Sequence, residues 1–197
     1  MARTSFVTGG SGFVGRELIR TLKARGDDVR ALARSPKSVA AVEAAGAVAV
    51  NGDLDGADAL TAGMRGCELV FHCAAHTEEW DTDEAFWRAN VTGTDNCLAA
   101  ARAAGVRRFV LVSSEAVLCD GKPIVQADET RPLPAKALRG YPATKGACEQ
   151  RVRAAEGIET VVIRPRNIWA RTASIAMSRR ACCTRKSSSS RSTGLVA

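Results

Sequence analysis

Beyond Glu159 the 197-residue chain has no acidic residue at all. Residues 1–159 hold 20 Lys and Arg against all 21 Asp and Glu, so the formal charge of +7 belongs to the C-terminal stretch. A specific nucleic-acid partner would have to be held by that stretch alone, which has no aromatic residue beyond Trp169 and no recognisable binding module. That partner is not expected. No apolar run approaches the roughly 18 residues that a membrane span requires, which excludes a helical membrane partner. The opening "MARTSFVTGG" has no apolar signal-peptide core. Cys67, Cys73, Cys97, Cys119 and Cys148 fall without metal-ligand spacing, and the adjacent Cys182 and Cys183 have no histidine near them. Reduced, packed thiols, a cytoplasmic location and no metal are therefore expected.

What is present is a regular alternation of short apolar runs with amphipathic segments, without an internal repeat. "SFVTG", "VRALA", "AVAVNGD", "CELVFHCAA", "RRFVLVSS" and "ETVVIRP" read as six strands. Helical patterns fall between them: "FVGRELIRTLKARG", then "SPKSVAAVEAAG" with Ser35 as N-cap and Pro36 at the first helical position, and "GADALTAGMRG". A long pattern over about residues 83–104 and another over 141–155 follow. Parallel strands need crossover connections, so this order predicts an α/β fold with a doubly wound parallel sheet, covered on both faces. The continuous apolar runs "FVLV" and "VVI" fit strands buried on both sides.

"TGGSGFVG" lies where the first strand meets the first helix. Its glycines, Gly9, Gly12 and Gly15 at spacing three, permit a tight turn, close approach of backbone N–H groups to a pyrophosphate, and close helix–strand packing. This context identifies a dinucleotide site, to which Phe13 and Val14 belong as part of the same motif. An NAD-selective site places a carboxylate at the end of the second strand. Here Ala33 is followed by Arg34, which supplies a cation instead and favours NADP over NAD. Asp53, followed by Leu54, is placed to accept from the adenine amino group, and equally to form a turn.

Tyr141 and Lys145 in "GYPATKG" stand four apart at a helix start and share one face. A phenol with an ordinary pKa near 10 is a poor acid or base at neutral pH, and a nearby ammonium favours the phenolate. Ser114, at the end of the fifth strand, is placed to hydrogen-bond a substrate oxygen beside the tyrosine. His72 and His76 offer possible metal ligands, but no carboxylate pair completes a site and His72 lies on a buried strand, so a packed histidine is the expectation. Trp80, Phe86 and Trp87 fit either the core or the mouth of a substrate pocket.

In this order "TGGSGFVG", "GDL", "VFHCAA", "NVTGT", "VSSEAV", "YPATK" and "IRPRNIW" resemble the extended short-chain dehydrogenase/reductase family over residues 3 to about 169, most closely its 3β-hydroxysteroid dehydrogenase and epimerase-like members. The resemblance implies an NAD(P)-dependent oxidoreductase acting on a small-molecule hydroxyl or carbonyl substrate. It implies a catalytic triad of Ser114, Tyr141 and Lys145, with the lysine also holding the nicotinamide ribose. Asn90 would organise the active-site backbone or a water, and Ala74, Ala75 and Pro165 would line the cofactor. Sugar dehydratases of the family carry a glutamate two residues after the serine. Here that position is Ala116, which argues against dehydratase chemistry.

Family members continue past this point into a second half bearing most of the substrate pocket. This chain reads Trp169–Ala170 and then loses the pattern. Residues 1–169 are expected to form the NAD(P)-binding domain and residues 170–197 a disordered basic tail rich in serine and arginine. A truncated member would bind a dinucleotide with little or no turnover and would expose apolar surface, which favours self-association into a homo-oligomer.

Overall fold

The computed structural model describes residues 2–78, 80–166 and 168. Trp169 and the expected tail lie outside these residues. Six strands form one parallel sheet in the order β3-β2-β1-β4-β5-β6. They are β1 (Thr4–Thr8), β2 (Asp28–Ala33), β3 (Val48–Asn51), β4 (Leu69–His72), β5 (Arg108–Val112) and β6 (Glu159–Ile163). Between them run α1 (Phe13–Ala24), α2 (Pro36–Ala44), α3 (Ala57–Met64), α4 (Asp83–Phe86), α5 (Gly93–Ala103) and α6 (Tyr141–Arg153). The expected doubly wound parallel sheet is the one observed.

Alternation along β1 sends successive side chains to opposite faces and so seeds two cores. Phe6 packs with Leu60, Met64, Val70, Phe109 and Val152 on the face covered by α3, α5 and α6. Val7 packs with Ile19, Leu22, Val29 and Val42 beneath α1 and α2. Ser35 caps α2 through the Ser38 N–H, and Pro36 occupies the first turn, as its sequence predicts. The fully buried Glu149 of α6 receives a bidentate bond from Arg164, which ties the exit of β6 to the helix.

Two elements depart from expectation. The "VVI" of β6 is not buried on both sides: Val161 is 37% and Ile163 48% exposed. β6 is the last strand of the described sheet, and among the described residues only one of its faces is covered. The long helical pattern over 83–104 is also not uniform. A π-turn, Trp87–Thr92, separates α4 from α5, and Asn90 sits inside it. Such turns widen a helix locally and are common at functional sites.

Candidate active site

Where strand order reverses, between β1 and β4, the loops leaving the carboxyl ends of neighbouring strands part and open a crevice. The glycine loop occupies that point. Gly9 has φ +67°, and a Cβ there would stand 2.6 Å from the Ala74 nitrogen, so the loop after β1 presses against the loop after β4. A Cβ on Gly15 would stand 2.2 Å from the Gly9 carbonyl oxygen, so α1 starts directly on the turn. No side chain caps the N-terminus of α1 and its first turn carries no acid. Backbone donors and the positive end of the helix dipole are thus left for an external anion.

A cavity of about 700 Å³ opens on this turn. Its wall holds Gly9, Gly12, Arg34, Asp53, Leu54, Ala74 and Ala75 of the sequence-predicted set. Phe13, Val14 and Gly15 form the first turn of α1 behind it. Arg34 is exposed and has no ion-pair partner among the described residues. Asp53 does make a turn, accepting from the Asp55 N–H at 3.0 Å, and still lines the cavity. The turn reading is the one observed. The wall also contains Ser38, Asp55, His76, Asp81 and Arg88, none of which the sequence reading assigned to a cofactor or substrate. The legible signal for His76 was its place four residues beyond β4, at the ligand-binding end of the sheet.

The tyrosine, lysine and serine lie beyond this wall, on α6 and after β5. Lys145 is buried and donates from Nζ to the Val112 carbonyl at 2.9 Å, where the β5 chain exits. Its burial lowers the ammonium pKa, against the opposing influence of Cys148, Cys73 and Glu149. Ser114 begins a short 3-10 turn, accepting from the Ala116 N–H at 3.2 Å, and hydrogen-bonds Tyr141. The expectation that the lysine draws the phenol downward needs correction. Burial raises the Tyr141 pKa above its ordinary value, the Ser114 hydrogen bond pulls against it, and Cys148 adds to the rise. Burial is the largest of these influences, so the phenol lies above its ordinary value. Pro165 stands beside this group, its carbonyl accepting from the Glu115 N–H at 3.1 Å.

Asn90 joins these parts. Its Oδ1 accepts from the His76 N–H at 2.6 Å, while Nδ2 donates to the His76 carbonyl at 3.2 Å and to Thr144 Oγ1 at 3.1 Å. The loop after β4 is thereby fixed to the helix carrying Tyr141 and Lys145. His72 is sealed below, with Nδ1 2.7 Å from Thr8 Oγ1 and Nε2 3.0 Å from Thr94 Oγ1. Burial, helped by Lys145, holds its pKa down to about 3, so it is a neutral, packed ring. Phe86 is buried, whereas Trp80 is 84% and Trp87 47% exposed, with the Arg151 guanidinium over the Trp87 ring. Among the described residues no cluster of three His, Cys, Asp or Glu is gathered for a metal, and no helix is long and apolar enough to cross a membrane.

The sequence model of the NAD dependent epimerase/dehydratase family matches residues 5–182. A 4-hydroxy-2-methyl-3-oxo-4-farnesyl-3,4-dihydroquinoline-1-oxide ketoreductase of Stigmatella aurantiaca is 52% identical over 84% of this chain and 50% of its own. A 3 beta-hydroxysteroid dehydrogenase/Delta 5-->4-isomerase of Mycobacterium tuberculosis is 39% identical over 83% of this chain and 46% of its own. Among solved structures, a short-chain dehydrogenase/reductase superfamily protein of Agrobacterium tumefaciens with bound NAD superposes with a TM-score of 0.70 at 32% identity, over 82% of this chain and 48% of that one. The UDP-glucose 4-epimerase of Brucella ovis in complex with NAD gives a TM-score of 0.72 at 26% identity, over 83% and 51%. The chain spans about half the length of the curated relatives it matches.

Proposed function

This chain belongs to the NAD dependent epimerase/dehydratase family, within the extended short-chain dehydrogenases/reductases, and from that premise we propose that it is the cofactor-binding and proton-transferring half of an NAD(P)-dependent oxidoreductase. The observation that carries this reading is the uncapped N-terminus of α1, opening beside the glycine turn into the cavity. The residues fit a dinucleotide. Gly9, Gly12, Phe13, Val14 and Gly15 would hold its pyrophosphate, and Asp53 with Leu54 its adenosine. Ala74, Ala75, Pro165 and the Lys145 ammonium would flank the nicotinamide riboside. We read Arg34 as the receiver of a 2′-phosphate, which favours NADP over NAD, because its guanidinium just after β2 has no ion-pair partner among the described residues. The dinucleotide, when bound, supplies the hydride.

The chain's own part is the proton. Tyr141, its pKa raised by burial, is a neutral phenol at pH 7 and donates to the oxygen of a carbonyl substrate as that oxygen gains charge. The Ser114 hydroxyl holds the same oxygen. Asn90 keeps the loop after β4 at a fixed distance from α6, so that cofactor and acid meet in register. Reduction of a carbonyl, as in the ketoreductase and dehydrogenase relatives, follows from this arrangement better than dehydration does, since Ala116 stands where a dehydratase acid would be.

The half-length coverage of the relatives favours a second reading, a dinucleotide-binding module with little or no turnover. We place the protein in the cytoplasm, in keeping with the reduced thiols of Cys67, Cys73, Cys97 and Cys148. Oxidation of NADPH with a panel of ketones separates the two readings. The oxidoreductase requires turnover that falls at least a hundredfold in Tyr141→Phe. Cofactor binding without turnover on any ketone supports the module.

A further inference from the structure

His76 is held more firmly than its position in a loop requires. Its N–H and carbonyl are both bonded to the buried side chain of Asn90, at 2.6 and 3.2 Å. Its ring packs on Phe86, with centroids 4.8 Å apart. Its Nε2 lies 2.8 Å from Asp81 Oδ2, and that carboxylate is itself fixed through Oδ1 by the Thr82 N–H at 2.7 Å. Backbone, ring plane and one ring nitrogen are thus all constrained, and Nδ1 alone has no hydrogen-bond partner among the described residues. His76 and Asp81 both line the cavity, at the end served by the loop after β4, across β1 from Arg34.

That end is the one nearest Tyr141. Phe86, which the His76 ring touches, lies 3.4 Å from where a Cβ on Gly140 would stand, and Gly140 immediately precedes Tyr141. Asn90, which grips the His76 backbone, reaches Thr144 in the first turns of the same helix. One phenyl ring therefore separates the imidazole from the start of the catalytic helix.

A neutral imidazole whose Nε2–H is given to a carboxylate presents Nδ1 as an acceptor. We propose that His76, oriented by Asp81, is a substrate-binding residue whose Nδ1 accepts a hydrogen bond from a hydroxyl that the substrate carries in addition to its reacting carbonyl. The inference rests on the oxidoreductase reading and extends it, since it names the substrate class as hydroxy-ketones rather than plain ketones. A site built to pair a hydroxyl discriminates against an analogue that lacks it, because its own polar atom is then left unpaired.

The two carboxamide variants separate this role from a merely structural one. The amide of Asn stands where Nδ1 does, and the amide of Gln stands where Nε2 does. The measurement is the dissociation constant of aryl ketones from the complex of the full chain with NADP+. The ketones carry a hydroxyl one, two or three carbons from the carbonyl, each paired with a counterpart ending in methyl. The wild-type chain is expected to hold at least one hydroxy-ketone about tenfold more tightly than its counterpart. His76→Asn should keep that preference and His76→Gln should lose it, with each variant compared at saturating NADP+. The reverse pattern assigns the ring to Asp81 alone and overturns the proposal. So does loss or retention in both variants alike. A wild-type chain that binds NADP+ yet treats each pair the same, by accepting both or neither, also overturns it. Absence of a fluorescence change with both NADPH and NADH before any ketone is added removes the oxidoreductase reading itself, and the inference with it.

Discussion

Tyr141 is the only tyrosine in the chain, so its ionisation can be followed directly by the ultraviolet absorbance of the phenolate. Burial raises its pKa and the Ser114 hydrogen bond restrains the rise. The cofactor-free chain should therefore titrate above the ordinary value of about 10, and Ser114→Ala should move the midpoint further up. A midpoint below 10, or a downward shift in the variant, would contradict the account of what controls this phenol. His72 gives a second titration with the opposite consequence. Its folded-state pKa is held at about 3 by burial, whereas an unfolded histidine titrates near 6.5. Between these values the unfolded chain binds the proton and the folded chain does not. Stability is thus complete above about pH 6.5 and falls as the pH drops, by up to about 1.4 kcal/mol per unit. Urea melts between pH 5 and 7 should show this slope, and His72→Gln should flatten it even if the variant is less stable throughout.

The junction of β1 with α1 is where sequence and site coincide most closely. Gly15 meets the Gly9 carbonyl so closely that a methyl group has no room at 2.2 Å. Gly15→Ala should cost about 1–3 kcal/mol in folding stability and abolish the thermal shift produced by NADPH. Retention of that shift would mean that the turn is not the phosphate cradle. This element was legible because glycine spacing between a strand and a helix has one efficient physical use. The strands were legible for a similar reason, since a run such as "FVLV" suits a parallel strand buried on both faces. The π-turn was not. A window from 83 to 104 keeps a helical period through Trp87–Thr92, and the π-turn coincides with tertiary bonds from Asn90 to His76 and Thr144, which no local pattern encodes. The half-exposed β6 escaped for a related cause. Its composition suits burial on both sides, but its place at the end of the described sheet follows from strand order.

Cofactor binding would act on the whole molecule, because the cavity draws on both halves of the sheet. Arg34, Asp53 and Leu54 follow β2 and β3, whereas Ala74, Ala75 and His76 follow β4, and the glycine turn after β1 stands between them. A dinucleotide spanning these loops would tie together the loops that follow four strands, and its binding free energy would add to the stability of the folded state. At 100 times its dissociation constant the gain is about 2.7 kcal/mol, or roughly 5–10 °C in Tm for a chain of this length. If Arg34 receives a 2′-phosphate, NADPH should produce a larger shift than NADH at equal concentration. Arg34→Ala should then reduce the NADPH shift to the NADH value and leave the NADH shift in place. Higher salt should shrink the difference between the two cofactors, since a single exposed guanidinium–phosphate pair is screened within about 10 Å at 0.1 M. Equal shifts in the wild-type chain would assign Arg34 to solvent and leave the adenosine end without a phosphate selector. A preference for NADPH that survives Arg34→Ala would move that role to other groups of the cavity wall, with Ser38 on α2 the first to test.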